Sequence, residues 1–281
     1  SFMANYYLYN LRTGDVKLLF KGSTRTTPAL FDPRDGKVLV KSDVEPVGSD
    51  YELRYLILDP KTGEFVAQAP LTSKLSDRHE VSVVGVDDAT HKYYVLTDQF
   101  SDKVQAMLYD PATQKFDAEP VVADKDYSIS GLIFSKRRKD FNQVIGFTVS
   151  GPYSQTTYVD PGLRSIQLGL EKTFSGQQVH ITDYTDDLSK VLFTTVSASV
   201  PQSYHLLLDK TKVANLGSQR PWIKPGMTGE ESWVTYKARD GMEIPAILDL
   251  PAEIYARWRQ ALAILSDEHG RRLELPRSSM R

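Results

Sequence analysis

Five stretches of this chain follow one plan. An apolar run reaches an Asp or Asn, a few turn residues follow, and a second apolar run begins. They are YYLYNLRTGDV from Tyr6, YLILDPKTGEF from Tyr55, AMLYDPATQKF from Ala106, TYVDPGLRSIQ from Thr157 and YHLLLDKTKVA from Tyr204. Their first turn residues, Asn10, Asp59, Asp110, Asp160 and Asp209, stand 49, 51, 50 and 49 residues apart. A steady period of that size marks a repeat architecture. The turn chemistry agrees: Asp or Asn bonds its own backbone, Pro presets φ, and Gly accepts positive φ. The pattern weakens where Gln114 replaces the Gly and Lys210 replaces the Pro.

One whole period, Thr26 to Leu71, reads as four short strands: TTPALFDP, KVLVKSDV, ELRYLILD and EFVAQAPL. The next gives VSVVGVDD, KYYVLTDQ, VQAMLYD and KFDAEPVV. The third gives ISGLIFS, VIGFTVS, TTYVDP and SIQLGLEK, and the fourth VHITDYT, KVLFTTVSAS, SYHLLLD and TKVANLG. Tyr6 to Phe20 supplies only the last two strands of a blade. Four hairpin-linked strands per period predict an all-β chain of β-propeller blades, because such a sheet buries both faces only against its neighbours. Helical periodicity is nearly absent from Ala4 to Gly217. A β-sandwich of similar strand density is the competing fold, but it has no reason to keep the period. The count is 4.5 to 5 blades, which fits a closed five-bladed ring or an incomplete seven-bladed one. The propeller is expected over 4–217, a linker and hairpin over 218–251, and a tail over 252–281.

A net charge of -2 gives no electrostatic footprint for nucleic acid or an anionic membrane. The absence of cysteine excludes disulfides, thiolate metal sites and cysteine nucleophiles. No apolar run reaches the ~20 residues that a membrane helix needs. A soluble protein of the bacterial cytoplasm or periplasm is expected. Ser1-Phe2-Met3 reads as a tag remnant ahead of a cloned segment, which leaves a native signal or further upstream sequence open.

After Gly217 the pattern changes. Arg220-Pro221-Trp222 ends the last repeat, and ESWVTYKARDGMEIPAILDLP from Glu231 to Pro251 reads as a hairpin with an Asp-Gly turn. The propeller periods followed by V-x-Y-x-x-R-D-G-x-x-I-P-x-x-L-x-L-P resemble the prolyl oligopeptidase family of serine peptidases. The RPWI and YKARDGMEIPAILDLP segments are most similar to its acylaminoacyl-peptidase-like branch. The resemblance covers about Ala4 to Pro251 and is sharp over Arg220 to Pro251. It implies that the hairpin leads from the propeller toward an α/β-hydrolase domain, with Trp222, Arg239, Asp240 and Gly241 at the interdomain connection. The hinge is expected near Arg220 to Ser232 and Asp249 to Pro251. It also implies a parent serine peptidase whose peptide substrate passes the propeller. This chain carries no G-x-S-x-G nucleophile elbow, and Glu268-His269-Gly270 is its nearest approach to the family's His-Gly-Gly oxyanion loop. It is therefore expected to be inactive alone, with no catalytic residue and no cofactor. The alternative is a stand-alone binding or protein-interaction propeller. In the tail, Ile254, Trp258, Ala261, Leu262 and Leu265 share a helical face, which predicts a short C-terminal helix from about Glu253 to Glu268 that caps the domain or packs in a homo-oligomer.

The histidines, His79, His91, His180, His205 and His269, lack metal-ligand spacing. His79 and His180 each open a first strand, two blades apart, and together with Glu80 they are the candidates for a substrate-binding tunnel. A water-exposed strand end is the plainer reading of both. Lys136-Arg137-Arg138-Lys139 is the only basic run and is expected to be a solvated hairpin loop. Asp87-Asp88 and Asp186-Asp187 are read as turn formers, and no metal site is expected.

Overall fold

Three of the five repeated turns, and the first turn of the period at Asp32, close in one way. Asn10, Asp32, Asp59 and Asp110 each accept through Oδ1 from the amide two residues on, at 2.8–2.9 Å. Where the fifth residue is glycine, its amide returns to the first residue's carbonyl, as Gly14, Gly36 and Gly63 do at 2.8–2.9 Å. That geometry puts the fifth residue in the left-handed region, at φ +79°, +75° and +74°, which costs glycine little. His91 and Gln114 occupy the same conformation at φ +58° and +53°. The turn is thus set by its Asx head, and glycine at its foot is a preference only.

The computed structural model describes residues 3–151, 153–224 and 227–250, and falls into two units, Ser1–Gly151 and Pro152–Arg281. The helix expected over Glu253 to Glu268 lies outside the described residues. In the first unit, β1 (Asn5–Tyr9) and β2 (Val16–Lys21) form a two-stranded antiparallel sheet. A full blade follows: β3 (Thr26–Phe31), β4 (Val38–Val47), β5 (Asp50–Leu58) and β6 (Phe65–Ala67) in spatial order, with β7 (Ser73–Lys74) added against the start of β5. The next blade is β8 (Val81–Val86), β9 (Tyr93–Thr97), β10 (Gln105–Asp110) and β11 (Lys115–Phe116). A third begins with the antiparallel pair β12 (Ile129–Phe134) and β13 (Val144–Ser150). The outermost strands are shorter than EFVAQAPL and KFDAEPVV suggest. Pro70 falls in a 3-10 turn over Ala69–Leu71, and Pro120 stands between β11 and the bridge of Val122 to Ala106. Proline donates nothing to a ladder.

The blades of this unit bury both faces, as the repeat requires. Val40, Tyr55 and Ile57 of one blade pack with Val81, Val83, Tyr93, Val95 and Tyr109 of the next. On the other face, Leu96 and Ala106 pack with Ile129 and Val149 of the third. Every side chain of β9 is buried, the expected pattern for a sheet covered on both sides. Polar tips inside these layers are satisfied. The Tyr55 hydroxyl donates to the Val81 carbonyl at 2.8 Å, and that of Tyr109 to Gln68 Oε1 at 2.8 Å.

The second unit holds β14 (Ser154–Tyr158) and then α1 (Pro161–Thr173). SIQLGLEK, expected as a fourth strand, lies within this helix, so the near-absence of helical periodicity before Gly217 is corrected here. Asp160, read as a turn head, is instead a helix N-cap. Its Oδ1 accepts from the Leu163 amide at 2.9 Å, and Pro161 takes the first helical position. Leu163, Ile166, Gln167 and Leu170 form the buried stripe. A full blade follows in order: β15 (Gln178–Tyr184), β16 (Lys190–Val196), β17 (Ser203–Leu208) and β18 (Lys212–Ser218). Asp209 and Lys210, both at positive φ, make the tight hairpin turn between its last two strands. Inside, the His205 ring stacks on Phe193 at 5.0 Å and meets Phe174 at 4.9 Å. Its Nε2 lies 3.1 Å from Thr195 Oγ1. Burial pushes the His205 imidazole below its ordinary pKa. The last described elements of the unit are the hairpin strands β19 (Glu230–Lys237) and β20 (Glu243–Leu250). The fold is all-β and built of propeller blades, with one helix among the described residues.

Candidate functional site

Four places carry chemistry or unpartnered surface. The first is the pair of residues before β8. His79 Nδ1 lies 3.1 Å from Asp98 Oδ1, and the same oxygen accepts from the Glu80 amide at 3.0 Å. Asp98 thus holds both residues, and both are exposed. His180 belongs to the second unit, inside β15 opposite Thr194, and is half-buried. Each therefore has its own local setting, and neither is enclosed. Among the described residues, no cluster of His, Asp and Glu could hold a metal ion.

The second place is the row of first turns in the first unit. Arg34 of the β3–β4 turn is ion-paired with Asp88 of the β8–β9 turn, and its guanidinium lies 5.4 Å from the centroid of the Phe141 ring in the next blade. Asn142 Nδ2 donates to Asp88 Oδ1 at 3.2 Å and to the Val86 carbonyl at 3.1 Å. Three consecutive blades are thus tied at one end. Asp88, read as a turn former, also serves as the shared acceptor. The basic run does not stay wholly in solvent, as its composition suggests: Arg137 is 1% exposed. Its Nε donates to Asp140 Oδ1 at 3.1 Å, and Ser135 Oγ reaches the same oxygen at 2.5 Å. Burial alone would raise the Asp140 carboxyl, but the hydrogen bonds of Arg137 and Ser135 outweigh it and hold the pKa low. A four-residue charge run gives no sign of this, because the partner that draws Arg137 inward is Asp140, just beyond it.

The third place is a groove of about 690 Å³ at the outer edge of the second blade, lined by Pro70, Phe100, Gln105, Met107, Lys115 and Phe116 among others. Phe100 is 57% exposed and meets Phe116 edge to face at 5.1 Å. The Lys92 ammonium holds Asp117 at 2.6 Å and so fixes one wall. Sequence reasoning missed this groove. Its one signal was Phe100 on a polar strand connection, DQFSDK, where an aromatic has no core to enter.

The fourth place is the hairpin β19–β20. Its turn is built as the motif suggests: Asp240 Oδ1 accepts from the Met242 amide at 3.0 Å, and Gly241 sits at φ +87°. Arg239 is exposed. The register pairs Trp233 with Ile247 and Thr235 with Pro245 on one face, and all four are exposed; Val234 and Ala246 on the other face are half-buried. Trp222, just before the hairpin, is 69% exposed. At the open end of the exposed face, hydrogen bonding toward the Glu231 carboxylate, with burial and the nearby Asp249 carboxylate, pushes the Tyr153 phenol up to about 12. A two-stranded sheet with one apolar face in water is marginal by itself.

No family model matches the sequence, and no curated protein matches it. Among solved structures, the chain is similar to part of a prolyl endopeptidase, at 14% identity and a TM-score of 0.47, over 86% of this chain and 34% of the other. It is similar to prolyl oligopeptidase B from Galerina marginata at 10% identity and a TM-score of 0.45, over 87% and 36%. It is also similar to a protein assigned as a dipeptidyl aminopeptidase IV from Bacteroides ovatus, at 16% identity and a TM-score of 0.43, over 88% and 37%. The chain spans about a third of the length of these structures.

Proposed function

We propose that this chain is the non-catalytic propeller portion of a prolyl-oligopeptidase-like serine peptidase, with β19–β20 as its connection toward an α/β-hydrolase domain. The observation that carries the reading is the hairpin. Its sequence is the one that resembles the family, and it stands outside the blades as a separate two-stranded sheet with Trp233, Pro245 and Ile247 in solvent. A further domain is the natural cover for such a face. In this role the blades act by exclusion: they admit small peptides to a nucleophile supplied elsewhere and leave the chemistry to it. His79 and Glu80 in the first unit, and His180 separately in the second, are the polar candidates for contact with a peptide. Trp222, Arg239, Asp240 and Gly241 serve the connection.

The test has two arms. The coding sequence read past the codon for Arg281 is expected to encode a G-x-S-x-G elbow and a late histidine. The isolated chain is expected to hydrolyse no peptide above background and to take no label from a serine-directed fluorophosphonate. Turnover that the fluorophosphonate abolishes would overturn the negative half. A gene that encodes no hydrolase domain would hand the protein to the second reading, a stand-alone binding propeller. That reading has its own support in the groove between Pro70 and Phe116, which offers aromatic and amide groups to a partner without any catalytic constellation.

A further inference from the structure

The groove at the rim of the second blade runs along an open strand edge. In the β10–β11 ladder Asp110 faces Lys115 and Tyr109 faces Phe116, and the Asp117 amide donates to the Leu108 carbonyl at 2.9 Å. Bonded and non-bonded pairs alternate in an antiparallel ladder. Tyr109–Phe116 is therefore the non-bonded pair, and the amide and carbonyl of Phe116 point away from β10. β11 is the last strand of its sheet, and among the described residues neither group has a partner. Beyond Phe116 the chain departs and returns only where Val122 bridges Ala106. Pro70 and Phe100 wall the groove, and Gln99, Gln105 and Lys115 line it with polar groups. Among the described residues, both glutamine side-chain amides lack hydrogen bonds and the exposed Lys115 lacks an ion pair. Asp117, the other charge on the wall, is already neutralised by Lys92.

We propose that this groove docks a short extended peptide that carries a carboxylate beside an aromatic or large aliphatic side chain. The peptide backbone exchanges two hydrogen bonds with Phe116, as in strand addition. The apolar side chain packs on the Phe100 ring, which is 57% exposed and is held in place edge to face by Phe116 at 5.1 Å. A ring fixed before binding loses little freedom when the ligand arrives. The carboxylate answers Lys115, the one charge on the wall that its own chain leaves unmatched. Gln99 and Gln105 each offer a donor and an acceptor, the complement of the flanking peptide groups. The length of the edge selects a peptide over a second sheet. β11 has two residues and turns one of them outward, too short a strand for another sheet to pair along. The site lies within the first unit and uses no residue of the hairpin, so it does not rest on the peptidase reading.

The probe is the hexapeptide acetyl-Thr-Val-Asp-Phe-Val-Thr-amide, titrated into the full chain by calorimetry. It is expected to bind, and to bind more tightly than the same peptide with Lys in place of Asp. Phe100→Ala should raise its dissociation constant about tenfold, with an unchanged Tm because the ring is exposed. Lys115→Glu should reverse the charge preference, so that the Lys peptide binds more tightly than the Asp peptide. A probe methylated on its backbone nitrogens cannot donate to the Phe116 carbonyl and should bind about tenfold more weakly. No heat of binding at about 1 mM probe overturns the proposal. So does equal affinity for the Asp and Lys peptides, or affinity indifferent to Phe100→Ala or to backbone methylation. Self-association that Phe100→Ala abolishes, without uptake of the probe, would give the groove to a second copy and overturn it as well. Each failure leaves the peptidase reading standing, because that reading rests on the hairpin and the gene, and removes the support of the binding-module reading.

Discussion

A Cβ on Gly85 would lie 2.3 Å from Cζ of Phe134 and 2.8 Å from its Cε1, so the ring of the third blade closes directly over the backbone of the second. Gly85→Ala should force that ring aside and cost about 1–3 kcal/mol in urea unfolding. The sequence shows the glycine in VSVVGV but not the ring that needs it, because Phe134 is one blade away. The opposite prediction holds at His91. It is exposed and sits at φ +58° in a turn whose counterparts use glycine. His91→Gly should relieve the left-handed strain and stabilise the fold by about 0.5–1 kcal/mol, since that gain exceeds the entropy glycine adds to the unfolded chain. At His205 the effect is one of pH. The folded pKa is pushed below the ordinary value by burial, so the unfolded chain binds the proton more tightly. Stability is full above about 6.5, the unfolded value, and is lost as the pH falls below it toward the folded pKa. Thermal melts between pH 7 and 5 should show this loss, and His205→Phe, which keeps a ring between Phe193 and Phe174, should flatten the slope.

Elements that repeat were readable because their two signals coincide. An apolar run and an Asx-headed turn recur together, and each ends or begins a strand by its own local chemistry. The helix α1 escaped because the same residues serve another purpose. Asp160-Pro161-Gly162 looks like the head of a repeat turn, and it stands at the period where a turn is due. Asp followed by Pro is equally a helix N-cap and first position. What decides is the register downstream: Leu163, Ile166, Gln167 and Leu170 keep helical spacing and are buried, whereas a strand needs alternation. Asp160→Ala should therefore cost about 1 kcal/mol, the usual loss of a cap, read by circular dichroism during thermal unfolding. The same substitution at Asp59 should disturb a hairpin and leave helical signal unchanged. The groove was unreadable for a different reason. Pro70 and Phe116 come from separate blades, and only sheet packing brings them to one wall.

At the scale of the molecule, the blades differ in how completely they are covered, and that difference is measurable within the first unit. β9 lies between two hydrophobic layers with every side chain buried. Four of the five residues of β1 are exposed, and its Tyr6 meets Phe31 of the next blade at 5.5 Å. Local opening free energy follows buried apolar contact. Amide hydrogen exchange should therefore rank β9 slowest and β1–β2 fastest among the strands of this unit, by about a hundredfold or more in protection in dilute solution. Protection of β1–β2 that equals that of β9 would mean that burial of side chains does not set the opening free energy in this unit.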